Sequence, residues 1–152
     1  CMAGCVRRVR RCVALACGDV ELTGRVTSEI GPGELIEKIT ILEIKTENIS
    51  DPARLENVRV ELDTLRASRD AAIVPSEEMA RLTYELREVN QTLWTIEDDI
   101  RDCERDGAFG EKFVELARSV YKTNDRRAAL KRKINVALGS RLVEEKSYQP
   151  YA

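Results

Sequence analysis

Histidine is absent from this chain of 152 residues, and glycine, proline and aromatic residues are scarce. Without histidine, Ser-His-Asp triads, histidine-ligated metals and histidine pH switches are all excluded. Only eight glycines and four prolines argue against a turn-rich all-β fold. Every apolar run is shorter than the roughly 18 residues that span a bilayer. The sequence therefore predicts a soluble protein without a transmembrane segment.

The chain also has no large excess of charge of either sign, since 25 Lys and Arg residues are balanced by 27 Asp and Glu residues, for a net charge of −2. A protein that binds the phosphate backbone of a nucleic acid carries a basic surface. We therefore expect no nucleic-acid partner. The apolar fraction of 43 % is enough for one hydrophobic core at this length.

Cysteine is concentrated at the N-terminus, at Cys1, Cys5, Cys12 and Cys17, with Cys103 far away. An odd total of five without a disulfide-rich composition indicates free thiols in a reducing compartment, so we expect a cytoplasmic protein. The spacing permits a four-thiolate zinc site, but helix packing explains these small residues better, and we expect no metal or other cofactor. The arginines between them leave organelle targeting open.

The chain divides into three parts by charge and periodicity. Residues 1–20 carry four Arg and one Asp, a net charge of +3, whereas the remainder carries −5. We predict a basic N-terminal appendage over residues 1–28 and a helical domain over residues 29–139. The final residues, 140–152, have no periodicity and are predicted to form an extended tail.

The first half of the helical domain predicts two helices joined by a short loop. Helix α1 is expected over residues 32–48, after a Gly-Pro-Gly turn, and it is apolar on two faces. Those two faces fit a central helix of a bundle and a subunit interface equally well. Asp51 and Pro52 then start helix α2, expected over residues 52–72. The two helices should form an antiparallel hairpin.

The second half predicts a longer hairpin. Helix α3 is expected over residues 77–106, with Ser76 as its cap, and helix α4 over residues 111–138. The apolar residues of α3 alternate spacings of three and four, which is typical of a coiled coil. They are Met79, Leu82, Leu86, Val89, Leu93, Ile96, Ile100 and Cys103. The predicted fold is an all-α antiparallel bundle of two helical hairpins, the longer with coiled-coil character.

Several segments of the chain resemble a family of short bacterial proteins of unknown function. They are EIGPGELIEKITILEIK from residue 29, ISDP from residue 49, LWTIED from residue 93, VYKTNDRR from residue 120 and EEKSY from residue 144. The resemblance covers about residues 26–148. It implies no activity, substrate or cofactor.

Helix α4 departs from its own apolar pattern at residues 122–127, where the inward positions around Asn124 and Arg127 are polar. A pattern violated in this way indicates a functional site or a break in the helix. Arginines beside Asn124 can hold a phosphate, a carboxylate or a sugar anion. The plainer interpretation is that Arg126 and Arg127 pair across the bundle with Glu34 or Glu37 of α1, or with the first glutamates of α3.

Two functions are compatible with these patterns. The first is an interaction or scaffold module, or a small subunit, that forms a dimer or binds another protein. Such association would bury the apolar seam of the longer hairpin, which is otherwise exposed to water. This function requires no catalysis. The alternative is a small all-α enzyme or binding protein for a phosphorylated or nucleotide-sugar ligand, with Mg²⁺ as an option. Its catalytic residues cannot be assigned, and its candidate binding residues are Glu34, Glu37, Lys38, Asn124, Asp125, Arg126 and Arg127.

Overall fold

The structure, a computed structural model, describes residue 24 and residues 26–147. Four helices occupy most of this part: α1 Pro32–Asn48, α2 Pro52–Ala72, α3 Glu77–Asp106 and α4 Glu111–Ala137. The predicted all-α bundle is confirmed, and only the end of α4 differs, by one residue. The four N-terminal cysteines and the last five residues, with Tyr148 and Tyr151, lie outside the described residues.

Local capping interactions fix the helix ends. The Asp51 side chain accepts a hydrogen bond of 2.8 Å from the Arg54 amide at the start of α2. The Ser76 hydroxyl accepts one of 3.2 Å from the Met79 amide at the start of α3. Gly107 ends α3 with φ 65°, in the left-handed region that favours glycine. These are short-range features, so the sequence alone locates them.

Helix α1 lies at the centre of the molecule and packs against α2, α3 and α4. Ile36 joins a hydrophobic cluster with α3 and α4, in which Leu86 and Ile134 are completely buried. A neighbouring face of α1 packs Ile39 against Leu62 of α2. Of the two expectations for α1, the structure therefore shows the central helix. Helix α2 contacts no other helix than α1 within the described part of the chain.

The helices differ in length, so one end of the α3/α4 hairpin extends beyond α1 and has no third helix packed against it. Helix α3 has 30 residues and α1 has 17, so α3 is longer by roughly 20 Å at 1.5 Å per residue. We call residues 97–120, the end of the α3/α4 hairpin, the arm. Cys103 is the only buried residue of the arm, all of which the structure describes. No helix in the described residues is both long enough and apolar enough to cross a membrane.

Candidate functional site

The polar stretch of α4 is helical throughout, so the break considered above does not occur. Arg127 points toward α1, and its Nε lies 3.1 Å from Oε1 of Glu37. Its Nη2 also donates a hydrogen bond of 2.5 Å to Oδ1 of Asn124. Arg126 is exposed. The pairing expected across the bundle is therefore found for Arg127.

One turn further along α4, Lys131 lies at the centre of a cluster of carboxylates. Its Nζ is 2.6 Å from Glu34, 2.6 Å from Glu37 and 2.7 Å from Glu144. The Lys131 side chain is only 10 % exposed. An ammonium group has three N–H donors, so the three carboxylates satisfy all of them. The cluster joins α1, α4 and the segment after α4.

The electrostatics of this cluster are those of an internal ion pair. Burial disfavours the charged form of Lys131, but hydrogen bonds from its ammonium to Glu144, Glu34 and Glu37 outweigh burial and raise the pKa of Lys131 above its ordinary value. The hydrogen bond from Lys131 also lowers the pKa of Glu144, against the opposing effect of burial. Lys131 and Glu144 are therefore both charged at neutral pH.

The predicted binding residues only partly converge. Glu37, Asn124 and Arg127 are in contact, and Glu34 joins them through Lys131. Lys38 and Arg126 are exposed, and Asp125 is half-buried. In the cluster, two cations face the three carboxylates of Glu34, Glu37 and Glu144, so its net charge is −1. The carboxylates act as internal counter-ions, which an anionic ligand would have to displace.

The Gly-Pro-Gly turn is explained by a close approach between α1 and α4. A Cβ atom on Gly33 would lie 2.5 Å from the backbone oxygen of Lys131. The Gly33 amide donates a hydrogen bond of 2.8 Å to Oδ1 of Asn135, and the next two amides donate to the carbonyl of Gly31. The first amides of α1 are thus bound within the protein, and the turn anchors the helix.

A groove of about 400 Å³ lies where α1 meets α3 and α4. Its residues include Ile41 and Ile44 of α1, Leu93 and Trp94 of α3, and Arg127. A second groove, of about 450 Å³, contains Glu34, Lys131 and Glu144. Within the described residues, no group of three or more histidine, cysteine or acidic side chains has the arrangement needed to hold a metal ion.

Sequence reasoning missed Lys131, Asn135 and Glu144 as members of this site. Lys131 belongs to a basic stretch of α4 that looks like a solvated face. The only signal was local: Lys131 falls four residues after Arg127 on the same helical face, and Asn135 follows after another four. Their partners on α1 lie about a hundred residues away, so no short-range pattern identifies them.

Comparison with known proteins gives a family and nothing more specific. No curated protein and no solved structure matches the chain. The model of one protein family, described as a family of unknown function (DUF6165), matches residues 26–151. That range covers nearly all of the described structure, including the cluster around Lys131 and the arm. The chain belongs to the DUF6165 family, whose function is unknown.

Proposed function

We propose that the protein is an interaction module in which the arm binds the arm of a second copy. The supporting observation is the exposure of apolar side chains on the arm and beside it. Phe109 at its tip is 55 % exposed, and Val114 and Tyr121 of α4 are 51 % and 38 % exposed. Val114 and Tyr121 are seven residues apart, so they lie on one face of the helix, with the exposed Ala117 between them.

The seam between the two helices of the arm is also incompletely covered. Ile100, Phe113, Leu116 and Val120 are half-buried, whereas Leu82 and Leu86, nearer the base of α3, are at most 1 % exposed. A pair of helices buries less apolar surface than a four-helix bundle does. Two arms packed together would form such a bundle and remove both kinds of exposed apolar surface from water.

The charges of the arm and of the adjoining turns of α4 favour a second copy in the opposite direction. Residues 97–106 carry six acidic and two basic side chains, a net charge of −4, whereas residues 118–126 carry a net charge of +2. A two-fold axis across the arms brings the acidic segment of one copy near the basic segment of the other, twice. Complementary charges of this kind select partner and orientation.

The test is the molecular mass of two variants with the same chemical change. Val114→Asp places a charge on the arm, and Val136→Asp places one on the same helix outside the arm. Both valines are more than half exposed, so each variant should fold. We expect Val114→Asp to be monomeric and Val136→Asp to retain the dimeric mass. Equal masses for the two variants would contradict the assignment of the arm as the contact surface.

The alternative, a small enzyme or binding protein for an anionic ligand, stays a prediction. Its candidate residues are the seven identified from the sequence. The ion pairs of Arg127 and Lys131 with glutamates of α1 give these cations partners within the protein, and no observation favours this function over the first.

A further inference from the structure

The tip of the arm presents one aromatic side chain on an open turn. Phe109 is 55 % exposed, and its neighbours in the chain are the small residues Ala108 and Gly110. A Cβ atom on Gly107 or Gly110 would have nothing within 4 Å. The Phe109 ring packs edge-on against Phe113 of α4, with the ring centroids 5.3 Å apart. An aromatic ring that is held in place but remains exposed is suited to anchor a protein contact.

The groove between α1, α3 and α4 lies at the opposite end of the arm. Ile41 of α1 and Trp94 of α3 are among its walls, and its lining continues to Glu97, Asp98 and Arg101 of the arm. Ile41 and Trp94 are only half-buried, so the groove exposes apolar surface. Its volume of about 400 Å³ lies within the range of about 300 to 1,000 Å³ that encloses a small molecule. An aromatic side chain fits in such a space.

Polar contacts between the helices give this groove a fixed shape. Asn90 of α3, which is buried, donates a hydrogen bond of 2.9 Å from Nδ2 to the Thr40 hydroxyl of α1. Arg127 of α4 pairs with Glu37 of α1 at 3.1 Å. These contacts hold α1 against the other two helices, so the groove exists before anything binds in it. A preformed site loses less conformational entropy on binding.

The separation of groove and tip matches the overlap of two antiparallel arms. Trp94 lies twelve residues before Asp106, the last residue of α3, which corresponds to roughly 20 Å at 1.5 Å per residue. In an antiparallel pair, each tip points toward the base of the other copy. When two arms overlap over this length, each Phe109 reaches the groove of the other copy, and the two-fold axis makes the contact twice.

The charges at the groove permit this approach. Glu97 and Asp98 share Arg101 as an ion-pair partner, at 3.0 and 3.7 Å, so this side of the groove has one negative charge in excess. Residues 105–112 of the tip carry two basic and two acidic side chains and have no net charge. Lys112 of the tip is exposed and can pair with either carboxylate. The tip therefore meets no like-charge repulsion at the groove.

From these observations we infer that Phe109 of a second copy occupies the groove beside Trp94, in both directions of a symmetric dimer. The phenyl ring packs against the indole and against Ile41. Helix α1 limits how far the other arm can slide toward the base, so this contact sets the register of the two arms. The inference rests on the proposed self-association of the arms and adds the residues that align them.

Trp94 is the only tryptophan of the chain, so its fluorescence reports on this groove. We would measure acrylamide quenching and molecular mass on the same samples, over a range of chain concentrations. We expect Trp94 to be several-fold less accessible to acrylamide in the dimer than in the Val114→Asp variant, because a phenyl ring covers the indole. A dimer in which Trp94 is as accessible as in that variant overturns the contact and leaves self-association standing. A chain that is monomeric at every concentration overturns both.

A double-mutant cycle tests whether Phe109 and Ile41 meet between copies. Within one chain the tip and the groove are roughly 20 Å apart, too far for two substitutions to interact. Ile41 belongs to neither hydrophobic cluster of the described core, so Ile41→Ala should fold. We expect Phe109→Ala and Ile41→Ala each to weaken dimerisation about tenfold.

The double variant should dimerise no more weakly than Phe109→Ala alone, since the same contact is lost in both. Tyr84→Ala is the control, at an exposed aromatic position of α3 outside the arm, and it should dimerise as the original chain does. The contact is overturned if the two substitutions act independently, or if Phe109→Ala dimerises as tightly as the original chain.

Discussion

Lys131 is the residue that joins α1, α4 and the segment after α4 through its ion pairs. As a whole residue it is 8 % exposed, and its side chain contacts carboxylates from α1 and from the segment after α4. A buried charge is tolerated only when it is paired and hydrogen-bonded. Removal of the cation would leave Glu37, also buried, with Arg127 as its remaining ion-pair partner.

We expect Lys131→Met to lower the free energy of unfolding by about 2 to 3 kcal/mol, because it leaves buried carboxylate charge without its main counter-ion. Urea unfolding measures the change. Lys133→Met, at an exposed position of the same helix, should change stability by less than about 0.5 kcal/mol. Equal effects of the two variants would show that the cluster does not stabilise the fold.

Gly33 tests the close approach of α1 to α4. An added Cβ would lie 2.5 Å from a backbone oxygen, so Gly33→Ala must push the two helices apart. We expect a loss of about 1 to 3 kcal/mol in thermal unfolding. At Gly110 a Cβ has nothing within 4 Å, and Gly110→Ala should cost clearly less. If Gly33→Ala were as stable as the original chain, the two helices would have to lie further apart than in this structure.

At the scale of helices and segments, the sequence predicts nearly all boundaries, because caps and turn residues act within a few positions. Asp51, Ser76 and Gly107 are examples. The partners of Lys131 and Asn90 could not be predicted, because each contact depends on the axial offset and the rotation with which two helices pack. The interruption at Asn124 and Arg127 did indicate the right surface of α4. It also predicted a glutamate of α1 as the partner of Arg127, but it did not indicate the part that Lys131 and Glu144 play in the same cluster.

The segment after α4 is attached by Glu144, and its attachment should depend on pH. Since the pKa of Glu144 is lowered in the folded protein, its contribution to stability is present above the ordinary value of 4.5 and is lost as the pH falls through the lowered pKa. We expect Glu144→Gln to be less stable than the original chain near neutral pH and equally stable in strong acid. Glu145→Gln, at an exposed ion pair, should differ little at either pH. A Glu144→Gln difference that persists in acid would contradict this.

The arm and the base of the α3/α4 hairpin should differ in amide exchange once the arm stands alone. Exchange is fast where few apolar contacts protect a helix. In monomeric Val114→Asp, we expect amides of residues 97–120 to exchange much faster than those of residues 79–93. In the original chain, where we propose that a second copy covers the arm, this difference should shrink. Equal protection of the arm in both proteins would mean that no partner covers it.

The whole molecule combines a well-packed base with an arm that is incompletely covered. At the base, α1 is surrounded by three helices and its contacts to α4 are fixed by Gly33 and the Lys131 cluster. The arm has one buried residue and exposed apolar side chains at its tip and along α4. The base therefore provides most of the stability of the fold, and the arm is the surface that we propose for self-association.

The mass of the chain in solution tests this account most directly. Sedimentation equilibrium at micromolar concentration and moderate salt should give twice the 17.2 kDa of one chain. Higher salt should shift the equilibrium toward the monomer, since part of the attraction is between exposed charges. A mass of 17.2 kDa at all concentrations and salt levels would contradict the account, because the arm would then be stable without a second copy.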